Sequence, residues 1–435
     1  MNNTEFEKRR KQLMKMVGPG GIAILPSAPV RTRSRDVEYR FRQDSDFYYL
    51  TGFPEPEAVA VLVPGRENGE YLLFCREKDP ARELWDGQRT GQDGAIEAFG
   101  ADDAFPIEDL DDILPGIMES CERVYYTMGM YAEFDARMAD WVNTLRAKLS
   151  RGVQSPHEFV ALDHLLHDMR LFKSKGEISA MRKSARVAVE AHKRAMRMVR
   201  PGLYEYEVEA ELRYEFRRNG GGVSYNPIVG GGANACILHY VENNQPLNDG
   251  DLLLIDAGCE IDYYASDITR TFPVNGRFSP EQRALYQVVL DAQQAAIAKT
   301  VVGNHWNEPH DAAVKAITKG LKKLGLLEGS VARLLKDEAY QQFYMHRTGH
   351  WIGMDVHDVG DYKVGDEWRM LEPGMVTTVE PGIYTGHSRK VPKRFRNIGI
   401  RIEDDVAVTR KGPDVLSKGL VSDPEGIEAL MNASA

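Results

Sequence analysis

The run Leu252-Leu253-Leu254-Ile255 is too apolar to be solvated on both faces, yet it ends on the carboxylate of Asp256. Such a run is expected to be a buried strand. A buried carboxylate without a partner costs on the order of several kcal/mol. Asp256 therefore needs a cation or a donor network, unless it is a turn aspartate ahead of Ala257-Gly258. Asp267 follows beyond the expected turn of a hairpin, so the two carboxylates can face each other across strands.

Later strands end in the same way. Glu380 follows Val376-Thr377-Thr378-Val379 and precedes Pro381-Gly382. Ile398, Ile400 and Ile402 alternate with Arg401 and Glu403, which puts the guanidinium and the carboxylate on one face. Alone, Arg401 and Glu403 could be a structural ion pair, and His350 in His346-Arg347-Thr348-Gly349-His350 a satisfied loop histidine. Together, four carboxylates and one imidazole make a hard, oxygen-rich donor set. It suits a pair of divalent ions such as Mn2+ and suits copper or a structural zinc poorly. Two cations can share a carboxylate and activate one water, the core of a two-metal hydrolase. His239 and His357 lie near these segments and could bind a carbonyl or an oxyanion.

A chain of 435 residues predicts two domains, and 43% hydrophobic content is ample for packed cores. The net charge of -10 argues against nucleic-acid or anionic-membrane partners. The basic clusters Arg31 to Arg35 and Lys390 to Arg396 read as solvated loop faces. Cys75, Cys121, Cys236 and Cys259 have no paired-ligand spacing and read as thiols of a reducing compartment. Met1 to Met16 is an amphipathic helix without a signal-peptide core, and no window is long and apolar enough to span a membrane. A cytoplasmic protein is expected.

The first part predicts an α/β domain, residues 1–172. Its strands are Gly21–Leu25, Ala58–Val63 and Glu70–Phe74, and its helices lie around Asp109–Ser120 and Phe134–Leu149. Residues 173–435 predict an α+β domain. Ser174-Lys175-Gly176-Glu177 and Ser279-Pro280-Glu281-Gln282 are capping boxes that open helices. Further helices are expected from about Tyr204 to Arg218 and from about Pro309 to Leu324. Strands are expected at Leu252–Asp256, Ile261–Thr271, Met375–Glu380 and Ile398–Val408.

Five segments carry a resemblance to a known family. They are Ile237-Leu238-His239-Tyr240, Ile255-Asp256-Ala257-Gly258-Cys259-Glu260, Gly353-Met354-Asp355-Val356-His357-Asp358-Val359-Gly360, Val379-Glu380-Pro381-Gly382 and Gly399-Ile400-Arg401-Ile402-Glu403-Asp404-Asp405. With Arg42 to Phe53 in the first domain, the whole chain resembles the bacterial aminopeptidase P family of the pita-bread metallopeptidases. The resemblance implies a pita-bread catalytic domain behind an α/β N-terminal domain, two divalent ions, and a homotetramer. It implies release of the first residue from peptides with proline second. Asp256 is then a ligand of one ion, Asp267 and Glu403 bridge both, and His350 and Glu380 hold the other. His239, His346, His357 and Tyr384 line the substrate site, Arg401 supports it, and Trp85 borders a neighbour's pocket. A hydroxide bridging the ions is the implied nucleophile, with Glu380 carrying its proton to the proline nitrogen.

Two positions depart from the family. Arg347 stands where a small residue is usual. Pointing inward, it should favour acidic substrates; pointing outward, its loss should change little. Gly303-Asn304-His305-Trp306 replaces a Pro-Gly and reads as structural, away from the ligand strands. The alternatives are a prolidase, which cleaves Xaa-Pro dipeptides, and a metal-free peptide-binding pita-bread protein. A methionine aminopeptidase fits less well because it lacks a large N-terminal domain.

Overall fold

The apolar runs of the first part pair into a mixed six-stranded sheet in a computed structural model of the chain, which describes residues 3–119 and 121–433. The order across the sheet is Asp103–Pro106, Tyr71–Cys75, Val59–Leu62, Gly21–Pro26, Arg123–Tyr125 and Glu158–Val160. The central pairings are antiparallel and the outer ones parallel. Side chains alternate along a strand, so Ile22, Ile24, Val59, Val61, Leu72 and Phe74 share a face. Helices Leu110–Met118 and Ala132–Arg146 close that face with Leu114, Met138, Trp141 and Leu145. They answer the two helical stretches expected here, although Ser120 lies outside the described residues. The amphipathic start is the helix Asn3–Val17, which buries Phe6, Leu13 and Val17; Met1 and Asn2 lie outside the described residues. These elements belong to one compact unit, Met1–Met169.

The second unit, Arg170–Ala435, is built from helix pairs and antiparallel sheets. Ser174 caps the helix Lys175–Met198: its hydroxyl accepts from the Glu177 N–H at 3.3 Å, and Glu177 accepts from the Ser174 N–H at 2.8 Å. Ser279 and Gln282 repeat this at Pro280–Ile297. The first helix packs on Glu205–Arg218 and the second on Glu308–Lys323. Three sheets carry the chemistry. Ile228–Gly231, Leu252–Asp256 and Thr269–Pro273 form one, with Asp256 opposite Thr269. Val376–Val379, Asp404–Thr409 and Gly412–Val415 form another, and Gly382–Tyr384 pairs with Gly399–Arg401.

Two predicted strands are corrected. The strand expected over Ile261–Thr271 is confined to Thr269–Pro273, because Asp262 (φ 53°) and Tyr263 (φ 67°) turn the chain in the left-handed region. Asp267 stands just ahead of it. The strand expected over Ile398–Val408 is two strands that serve different sheets, with Glu403 at the break between them. Among the described residues, no helix is long and apolar enough to cross a membrane.

A buried ion cluster anchors the segment that carries His357. Asp358 accepts from the Arg170 guanidinium at 2.5 Å and from the Lys173 ammonium at 2.9 Å. Burial works against the Asp358 charge, but the two cations outweigh it and hold its pKa below the ordinary value. Its contribution to stability is therefore present above the usual carboxylate range of about pH 4 and fades as pH falls through the lowered folded value. Removing this carboxylate strips the buried Lys173 ammonium of its ion pair and leaves Arg170 to Asp355, 2.7 Å away. Asp358→Ala is expected to lower stability by about 3–5 kcal/mol, read from the midpoint of denaturant unfolding at neutral pH. An unmoved midpoint would show that water replaces the carboxylate.

Candidate active site

The strand ends converge on a cavity of about 590 Å³, lined by Asp256, Asp267, His350, Glu380 and Glu403. His239, His346, His357 and Arg401 line it too, so the structure gathers almost every expected site residue in one place. The tightest grouping is Asp267, His350 and Glu403, each offering a ligand atom within 4.8 Å of the others. His350 Nδ1 lies 2.9 Å from the Trp351 carbonyl. With Nδ1 donating that bond, Nε2 faces the carboxylates, 3.4 Å from Asp267 and 3.7 Å from Glu380.

Two neutral hydroxyls and one guanidinium organise the carboxylates. The Tyr225 phenol lies 2.5 Å from both Asp256 Oδ1 and Asp267 Oδ1. Thr269, opposite Asp256 in the sheet, donates to Glu403 at 2.6 Å. Arg401 donates to Asp256 at 2.6 Å, to the Tyr384 hydroxyl at 3.0 Å and to Thr269 at 3.2 Å. Tyr384 in turn meets His346 Nε2 at 2.9 Å, behind the lining.

One arginine cannot balance four buried carboxylates. Burial, partly opposed by Arg401 and reinforced by Asp267, raises Asp256 to about 6. Burial, against the pull of His350 and Arg401, raises Glu380 to about 7. Burial and then the neighbouring carboxylates push Glu403 well above its ordinary value. His350 goes the other way: burial disfavours its cation, but Asp267 and Glu380 prevail and lift it to about 9. Burial and Arg401 drop His346 to about 3, so it stays neutral. A group of mutually repelling carboxylates around one imidazole is the electrostatic complement of hard divalent cations, and this donor set fits them.

Several residues were not legible as site residues. Tyr225 lies in an irregular stretch, and Thr269 carried no signal beyond being polar in a buried strand. Trp306 corrects the reading of Gly303 to Trp306 as remote. It lines the cavity with Tyr362 and Trp368, its ring centroid 4.6 Å from that of Tyr362. Arg347 lines the same cavity from an exposed position, donating to Asn307 with its guanidinium 5.4 Å from the Trp368 ring. Trp85 is absent from the lining; it is 84% exposed on the short helix Pro80–Asp86 of the first unit.

Known proteins resemble this chain along its whole length. The family model for metallopeptidase family M24 matches residues 179–410, and that for the aminopeptidase P N-terminal domain matches residues 6–125. The Xaa-Pro aminopeptidase of Escherichia coli strain K12 is 44% identical over 436 residues, covering 100% of this chain and 99% of its own. The solved Pseudomonas aeruginosa aminopeptidase PepP matches with a TM-score of 0.99 at 61% identity, over 100% of this chain and 98% of that one. A zinc-substituted aminopeptidase P of E. coli, solved in complex with product, matches with a TM-score of 0.97 at 44% identity, over 100% and 99%.

Proposed function

The chain belongs to metallopeptidase family M24, with the pita-bread catalytic fold behind an aminopeptidase P N-terminal domain, and from that premise we propose that this hydrolase removes the first residue of peptides whose second residue is proline. The observation that carries the reading is the meeting of Asp267, His350 and Glu403, with Asp256 and Glu380, in one cavity. Asp256 would hold one divalent ion, His350 and Glu380 a second, and Asp267 and Glu403 both; the hard donor set favours Mn2+. Bound there, the ions supply Lewis acidity and lower the pKa of a water.

The protein's own groups do the rest. The scissile nitrogen must gain a proton to leave as an amine, and that of proline, in a tertiary amide, carries no hydrogen of its own. Glu380 takes the proton of the attacking water and passes it to that nitrogen. His357, on the cavity wall with its ring centroid 4.4 Å from that of His350, donates to the carbonyl oxygen as negative charge develops there. His239 orients the carbonyl that follows proline. Arg401 offsets the Asp256 charge and fixes Tyr384, which sets His346 against the substrate. The homotetramer implied by the family belongs to the same proposal, and the adjacent exposed side chains Leu84 and Trp85 suit a place in its interface.

The test is substrate choice by the manganese-loaded protein. Ala-Pro-Ala is expected to be cleaved and Ala-Ala-Ala barely at all. Comparable turnover of the two would mark a broad aminopeptidase, and hydrolysis confined to Ala-Pro would mark a prolidase.

A further inference from the structure

We propose that Arg347, braced on Trp368, is a carboxylate-recognising group at the rim of the catalytic cavity, so that this chain favours substrates bearing a carboxylate near the cleaved bond. The proposal rests on the peptidase reading above and deepens it by naming a substrate class.

Two arginines line the cavity, and they differ in what they touch. Arg401 is 4% exposed and committed to Asp256, Tyr384 and Thr269. Arg347 is exposed, and both of its partners are neutral. Its guanidinium donates to Asn307 Oδ1 and lies 5.4 Å from the Trp368 ring. Among the described residues, no carboxylate forms an ion pair with it. The Lys363 ammonium lies 4.8 Å from the same indole, so a second cation stands on the same ring. Among the described residues, neither cation of this rim is held in an ion pair.

The geometry also leaves the donors free. A guanidinium has five N–H groups in a rigid fork, and one acceptor such as Asn307 cannot occupy them. The aromatic face steadies its plane, which reduces the entropy lost when a carboxylate is bound in bidentate fashion. Trp306 and Tyr362, on the same lining, offer apolar surface to the aliphatic part of an incoming group. The cavity carboxylates oppose an incoming anion, and the divalent cations they would hold would offset that charge. Arg347 directly follows His346 and lies three positions before His350, and all three line the same cavity.

The carboxylate could come from the first residue's side chain, from the third residue's side chain, or from the free end of a short peptide. Three matched pairs separate these sources: Glu-Pro-Ala-amide with Gln-Pro-Ala-amide, Ala-Pro-Glu-amide with Ala-Pro-Gln-amide, and Ala-Pro-Ala with its amide. The ratio of kcat/KM within each pair is measured for the manganese-loaded full chain and for Arg347→Gln. At least one ratio is expected to favour the acid by about 3–10-fold, a partly screened ion pair in a cleft, and to fall close to one in the variant. In the unmodified protein that preference is expected to shrink as ionic strength rises. Three ratios near one would overturn the proposal, as would a preference that survives Arg347→Gln or ignores salt. If the neutral amides are not cleaved at all, the peptidase reading fails and takes this one with it. That outcome is told apart by the neutral peptides alone.

Discussion

Glu403→Ala is expected to cost the protein its metal and its peptidase activity together. Glu403 is 2% exposed, it sits at the break between two strands, and its carboxylate is fixed by the Thr269 hydroxyl at 2.6 Å. It is also one of the three residues whose ligand atoms already lie within 4.8 Å of one another. A carboxylate shared by two ions cannot be lost without weakening both. The fall in activity should therefore exceed the about 10–100-fold that follows loss of a residue merely supporting a ligand. Bound manganese per chain and kcat/KM for Ala-Pro-Ala, measured on one preparation, check this. Retention of two ions with reduced rate would recast Glu403 as an electrostatic residue outside the ligand shell.

His357→Ala is expected to separate what Glu403→Ala joins. Its ring meets the His350 ring edge to face at 4.4 Å and lines the cavity. Burial, followed by the nearby His350 charge, lowers its pKa, so at neutral pH it presents one N–H and no net charge. The variant should keep its metal and lose roughly 10²–10³-fold in kcat, the usual result of removing one oxyanion donor. Asp358 anchors the adjoining backbone independently, so the fold around position 357 should persist. Metal loss in this variant would make His357 a ligand.

Glu403 was legible before any coordinates because it breaks a local rule, whereas His357 was singled out by its nearness to the ligand segments and by the family resemblance. A carboxylate ending an alternation of isoleucines is costly unless something binds it. The same logic reached Asp256, Asp267 and Glu380, and the capping boxes marked helix starts equally well. What escaped is what local rules do not encode. Tyr225 has no periodic context, so nothing announced that its phenol would sit between two aspartates. Trp306 was misjudged because distance along the chain says little about distance in space. The hairpin Lys363–Val364 and Glu367–Trp368 is too short for alternation to show. The split of Ile398–Val408 was hidden because alternation continues across the break, and only the pairing partners differ.

That break has a consequence for how the site can change over evolutionary time. Gly399–Arg401 is paired with one sheet and Asp404–Thr409 with another, so the two residues between them are a joint of fixed length. The excursion from Tyr384 to Gly399 can gain or lose residues at its tip while Gly382 stays opposite Arg401. An insertion at the joint has no such freedom. One extra residue there would reverse the facing of every side chain on one side of it, carrying Arg401 away from Asp256 or Glu403 away from Thr269. Length changes are therefore tolerable at the rim and the surface loops, whereas a change in the spacing from Arg401 to Asp404 would undo the site itself.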